Sequence, residues 1–212
     1  MVSQTNLNEV IKTSRVITLG DLRVATQIAK DKLWAEAGRL GRRPKIYLHW
    51  TAGRYDALFS DYHICISQDD DGAHINLMCE DLSNVLAHTW RRNSGAIGLT
   101  LCCALDATPD DLGDYPPTPE QIEIMAQCIA IIADTLHIPI DRYHVLTHGE
   151  AADNMDGIDV PDPYGPLNGC ERWDLQYLGT DESPEYTTDY DDPATGGNVL
   201  RGKANWYLNE WK

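Results

Sequence analysis

Three residues far apart in this 212-residue chain could act together on one ligand, namely His49, His148 and Cys170. His49 lies near the end of the apolar run Lys45-Ile46-Tyr47-Leu48-His49-Trp50, just before the small-residue turn Thr51-Ala52-Gly53. A strand there fixes the backbone, and the turn frees the ring to face a ligand. His148 ends a second run of this kind, Arg142-Tyr143-His144-Val145-Leu146-Thr147-His148, ahead of Gly149-Glu150. Cys170 sits in a polar, Gly-rich loop beyond it. Two imidazoles and a thiolate suit Zn²⁺, which takes nitrogen and sulfur ligands in a tetrahedron. Three protein ligands leave the fourth position open, as in a catalytic rather than a structural site. The same residues also fit a thiol hydrolase, with Cys170 attacking and His148 acting as base. Each histidine has a plain reading too, as a core or surface residue at a strand end. Spacing does not choose among these readings, because the residues are distant in sequence. The acidic run Asp69-Asp70-Asp71-Gly72 does not have calcium-loop spacing, and Asp-Gly between two strand-like runs signals a hairpin.

The elements that must position these residues are legible in outline. Asp21 opens a helix to Ala37, with Leu22, Ala25, Ile28, Ala29 and Leu33 on one stripe and Gly38 and Gly41 ending it. Tyr62 to Ile66 and Ala73 to Cys79 read as the two strands of the hairpin. Residues 81–90 contain a helical turn ending near His88. Ile97 to Leu105 is the most apolar run and predicts a central strand. A polar, Pro-rich loop follows over residues 106–117. Thr118-Pro119-Glu120-Gln121 is a well-formed helix start: an N-cap, proline at the first helical position and Gln three residues after the cap. That helix runs to about Leu136, with Ile122, Met125, Ile129 and Ile132 inward. In the long loop after His148, Asp153, Asp156, Asp159 and Asp162 predict a solvated turn surface. Thr180 to Asn198 reads as an extended arm. Arg201 to Trp211 reads as a short terminal helix docked through Trp206, Tyr207 and Trp211.

With 17 basic against 33 acidic residues the net charge is -16, which argues against nucleic acid as a partner, since phosphate binding needs a basic surface. It argues equally against adhesion to anionic membranes or wall polymers. No apolar run reaches the roughly 20 residues of a membrane span. Met1 to Asn8 lacks the basic-then-apolar pattern of a secretory signal, so folding in a cytoplasm is expected. The six cysteines form no C-x-x-C pair, and Cys65, Cys102, Cys103 and Cys128 read as small buried hydrophobes.

In order along the chain, Leu48-His49-Trp50-Thr51-Ala52-Gly53, Tyr62-His63-Ile64-Cys65-Ile66 with Asp71-Gly72, His88 with Asn93 and Ala96-Ile97-Gly98-Leu99, Thr118-Pro119-Glu120-Gln121, and Thr147-His148-Gly149-Glu150 with Cys170-Glu171-Arg172-Trp173-Asp174 form a five-piece pattern. The pattern resembles the zinc-dependent N-acetylmuramoyl-L-alanine amidases shared by small phage lysins and animal peptidoglycan recognition proteins. The resemblance covers about residues 44–178. It implies a single α/β domain with a mixed central β-sheet flanked by helices. The core would span 44–178, with an N-terminal arm and helix over 1–43 and a C-terminal arm with a short helix over 179–212.

The resemblance further implies that His49, His148 and Cys170 hold Zn²⁺. Tyr62 and Asn168 would assist catalysis, and His88, Asn93 and Trp50 would line the substrate groove. Asn93 can equally be a turn residue that caps backbone groups. The implied reaction is hydrolysis of the amide between N-acetylmuramic acid and L-alanine in peptidoglycan. The implied setting is a monomeric phage or prophage endolysin, made in the bacterial cytoplasm and acting on the wall after release, without membrane insertion. A non-catalytic peptidoglycan-binding module is the alternative. Three departures stand out. Asn168 occupies a position where many active members carry lysine. Thr100 stands in the central strand where some members carry glutamate. Only a dozen residues separate His49 from Tyr62, too few for the helix usual there. The helix from Asp21 to Ala37 is expected to pack in its place.

Overall fold

The computed structural model describes residues 15–160 and 173–212. Asn168, Cys170 and Asp162 lie outside the described residues. Six strands form one mixed sheet: β1 (Arg15–Ile17), β2 (Lys45–Trp50), β3 (Ile64–Asp69), β4 (Gly72–Leu77), β5 (Ala96–Leu101) and β6 (Val145–Thr147). Their order across the sheet is β1-β4-β3-β5-β2-β6. β1, β4 and β3 pair antiparallel, while β3, β5, β2 and β6 run parallel. The β3–β4 hairpin turns at Asp70-Asp71, with Asp69 opposite Gly72, as the Asp-Gly signal predicts.

Strand alternation decides which side chains meet which layer. On β2, Ile46, Leu48 and Trp50 join the main apolar core, together with Ile97, Leu99 and Leu101 of β5. Helices α1 (Leu19–Arg39), α2 (Pro119–Leu136) and α4 (Gly196–Glu210) supply the rest of that layer. The alternate positions Tyr47 and His49 point to the other face, where His49 stands beside Thr100 and Tyr47 beside Gly98.

Helix α1 starts earlier than the stripe suggests. Thr18 is its N-cap, and Thr18 and Asp21 form a reciprocal capping box, so Asp21 is the third helical residue rather than the opener. Its buried face (Leu22, Thr26, Ala29, Leu33, Ala37) packs beside α2, and Trp34 Nε1 donates to the Leu136 carbonyl at 3.0 Å. In α2, Gln121 completes the capping box with Thr118 and also donates from Nε2 to the carbonyls of Ile66 and Cys102, at 2.9 and 3.0 Å. One buried amide thus caps a helix and ties it to β3 and to the residue that follows β5.

Three sequence expectations change. Residues 81–90 form turns rather than a helical turn. The terminal helix begins at Gly196, capped by Thr195, and docks through Leu200, Arg201 and Ala204, with Tyr207 packed on the core as expected and its hydroxyl donating to Glu123 at 2.7 Å. Trp206 and Trp211 stay exposed. Asp156 is fully buried instead of solvated.

Candidate metal centre and substrate groove

His49 is fully buried on β2. His148 is the first residue of the short helix α3 (His148–Ala152), whose N-cap is Thr147 and whose capping box closes on Glu150. β6 delivers the chain to that cap, and the helix start turns the ring toward His49. The two imidazoles meet edge to face, with centroids 4.9 Å apart. Among the described residues, the third member of the cluster is Asp174. Its Oδ2 lies 3.4 Å from His49 Nδ1 and 3.6 Å from His148 Nδ1. All three are buried, and their donor atoms lie within 4.8 Å of one another.

These separations are long for direct hydrogen bonds. They match donors sharing an ion, since tetrahedral ligands about 2 Å from zinc stand roughly 3.3 Å apart. Two imidazoles and a carboxylate are a known catalytic zinc set. Burial alone would raise the Asp174 carboxyl, but the attraction of the neighbouring His148 and His49 rings outweighs that and holds it below its ordinary value. The residues present therefore fit a divalent zinc ion.

A hydroxyl stands between His49 and His88. Thr89 Oγ1 lies 3.3 Å from His49 Nε2 and 3.0 Å from His88 Nδ1. With an ion on His49 Nδ1, the proton would sit on Nε2 and be donated to Thr89, whose hydroxyl would then donate to His88. His88 is buried beneath the cluster, 5.3 Å from His49 between ring centroids and 5.5 Å from His63. Burial first, then repulsion from His49, His63 and His148, push it well below its ordinary value, so it is neutral. Gly98 makes its space: a Cβ there would stand 2.6 Å from His88 ring carbons. His88 thus lies behind the histidine–aspartate cluster rather than on an open groove wall. Asn93 Oδ1 accepts from the Thr89 backbone N–H at 2.8 Å, which fixes the turn that presents Thr89.

Tyr62 is half-buried, its ring 5.1 Å from that of His49. It lines a groove of about 470 Å³ with Trp50, Thr51, Asp106, Trp173 and Asp174. Trp50 is nearly buried and braces Trp173 edge-on at 5.0 Å, so the residue before Asp174 is wedged in place. Tyr186 packs on Trp173 from another side at 5.6 Å. Ala52, Ala104 and Asp106, all on the groove, hold left-handed backbone at φ 50°, 68° and 58°. Such strain in non-glycine residues concentrates where a site is built. Nothing in the local sequence announces it.

Residues 40–163 match the family model of the N-acetylmuramoyl-L-alanine amidases. The chain belongs to that family. No curated protein matches the chain, and no solved structure does. The amidase family acts on peptidoglycan, and it also includes recognition proteins that do not cut it. The matched span holds β2 to β6, both histidines and Tyr62, and it ends before Asp174 and α4. Among the described residues, no helix is long and apolar enough to cross a membrane.

Sequence reasoning placed His49 and His148 in one site, and the structure brings them together. Asp174 was expected only as a residue following the third ligand segment, and its place beside the histidines is new from the structure. Cys170, the expected third ligand, lies outside the described residues. Thr89 carried no motif at all.

Proposed function

We propose that this chain is a zinc-dependent N-acetylmuramoyl-L-alanine amidase. The observation that carries the reading is the buried His49–His148–Asp174 cluster at the end of a groove, in a chain of this family. His49, His148 and Asp174 would hold the ion. When bound, zinc supplies Lewis acidity that polarises an amide carbonyl and makes water a competent nucleophile near neutral pH. The protein's own share is positional. Thr89 sets the tautomer of His49, and Trp50 and Trp173 wall the groove against solvent. Tyr62, beside His49, is the group placed to donate a hydrogen bond to the oxygen on which charge develops. Water's oxygen bonds to the lactyl carbonyl carbon, the carbon–nitrogen bond breaks, and the alanine amine leaves with a proton. The setting we propose is a phage or prophage endolysin. Its support is the motif order shared with small phage lysins.

The test is turbidity loss of purified peptidoglycan with and without a strong chelator, followed by zinc add-back. Lysis lost to the chelator and restored by zinc is expected. Lysis untouched by the chelator would point to Cys170 as a nucleophile, and no lysis under any condition to a binding module.

A further inference from the structure

Helix α4 lies beyond the span that matches the family, yet it touches both segments that carry the later ligands. Arg201 is nearly buried on it. Its Nη1 donates to Glu150 Oε2 at 2.7 Å and to the Val145 carbonyl at 2.9 Å. Its Nη2 donates to Glu150 Oε1 at 2.7 Å and to Asn198 Oδ1 at 2.7 Å. Glu150 Oε2 also accepts the Thr147 backbone N–H at 2.9 Å. A single guanidinium therefore fastens β6 to the first turn of α3, and His148 lies between the two fastened points.

The start of α4 approaches just as closely. A Cβ on Gly197 would stand 3.0 Å from both Glu150 carboxylate oxygens and from Thr147 Cγ2. A Cβ on Gly196 would stand 2.1 Å from the carbonyl oxygen of Leu175, the residue after Asp174. Gly196 N–H donates to the Gln176 carbonyl at 3.1 Å. Two glycines are a poor way to begin a helix on propensity. Here each is required by contact with a ligand-bearing segment.

Anchoring alone does not call for this arrangement. Leu200 and Ala204 already bury α4 in the apolar core, and a buried ion pair is a costly substitute for further apolar contact. What a bidentate arginine–carboxylate pair adds is fixed geometry. We propose that α4 is a brace of the metal centre, in which Arg201, Gly196 and Gly197 position His148 and Asp174 for the ion. The proposal rests on the zinc reading of that cluster. Arg201 is bonded to Glu150 and acts through it, as a positioning residue.

The experiment uses the full chain and two readouts: the zinc dissociation constant, by competition with a chromogenic chelator, and the visible spectrum of the cobalt-loaded protein. Arg201→Met and Arg201→Lys are compared with Leu22→Ala, a core change on α1 remote from the site. The Arg201 variants are expected to bind zinc about 10–100-fold more weakly and to show altered cobalt bands. Leu22→Ala is expected to lose stability but keep both readouts. Should Arg201→Met fail to fold, Arg201→Lys and Gly197→Ala report the same quantities. Folded Arg201 variants with wild-type affinity and spectrum would overturn the brace alone, as would an equal loss in Leu22→Ala. A wild-type chain that takes up no zinc would overturn the metal reading and the brace with it.

Discussion

Arg92 and Asp156 form an ion pair sealed from solvent, Nε to Oδ2 at 2.8 Å, with side chains 3% and 0% exposed. The Tyr47 hydroxyl donates to the same oxygen at 2.6 Å, and the Ile158 N–H donates to Oδ1 at 3.0 Å. Arg92 also donates to Asn154 Oδ1 and to the Ile158 carbonyl. The pair ties the turn that carries His88 and Thr89 to the loop that follows α3. Asp156→Ala leaves a guanidinium buried without its carboxylate, and removing one partner of such a pair costs about 3–5 kcal/mol. Urea unfolding is expected to show a loss of that size; a loss below about 1 kcal/mol would contradict this account of the loop.

The identity of the third ligand separates two substitutions. Asp174→Ala is expected to abolish stoichiometric zinc in the purified protein, while Cys170→Ser keeps it. Metal analysis after dialysis reads both. The reverse pattern would make Cys170 the third ligand, as the sequence leads one to expect.

Thr89→Val removes the acceptor for His49 Nε2 but keeps the side chain's shape. Loss of such a supporting contact typically costs about 10–100-fold in metal affinity. Thr89→Ser, which keeps the hydroxyl, should recover most of it. Equal zinc affinity in the valine variant and the wild type would remove Thr89 from the site.

His63 supplies a pH prediction. Its Nε2–H donates to the Asn84 carbonyl at 2.8 Å, and its Nδ1 accepts the Gly98 N–H at 3.0 Å, so the neutral ring is satisfied on both sides. Burial pushes the group down to about 4, against an ordinary value of 6.5. The folded value lies below the unfolded one, so the unfolded chain binds more protons between these limits. Stability is therefore full above pH 6.5 and falls as pH drops toward about 4, by roughly 3 kcal/mol at most from this residue. An NMR titration should find the His63 ring neutral at pH 5.5, and protonation near pH 6.5 would contradict the assignment.

Gly98→Ala drives a methyl into the His88 ring, which is hemmed in by Tyr47, His49, Tyr62 and His63. Overpacking of this kind costs about 1–3 kcal/mol. Thermal unfolding should register it, and an unchanged midpoint would mean that His88 has somewhere to go.

What the sequence revealed was what depends on near neighbours. Thr118-Pro119-Glu120-Gln121 names its own helix start, and Asp71-Gly72 names its own turn. The strand holding His49 declares itself by composition. Thr147-x-x-Glu150 was equally readable as a capping box, but the strand reading of Arg142 to His148 hid the helix that His148 begins. What stayed hidden depends on distant partners. Asp156 looks like any loop acid until Arg92, 64 positions away, is placed against it. Gly196 and Gly197 look like a linker until Leu175 and Glu150 are seen to leave no room for a side chain.

His49 and Asp174 meet across 125 positions of chain, and β2 takes both of its neighbours, β5 and β6, from later segments. No partial fold brings the proposed ligand set together, so the nascent or unfolded chain offers no preformed site for an ion. Parallel pairing between distant strands also places the chain among slow folders. Zinc would thus arrive after the domain is complete and act by mass action on the finished state. Its free concentration would set how firmly the folded chain is held, and have little influence on how fast it forms.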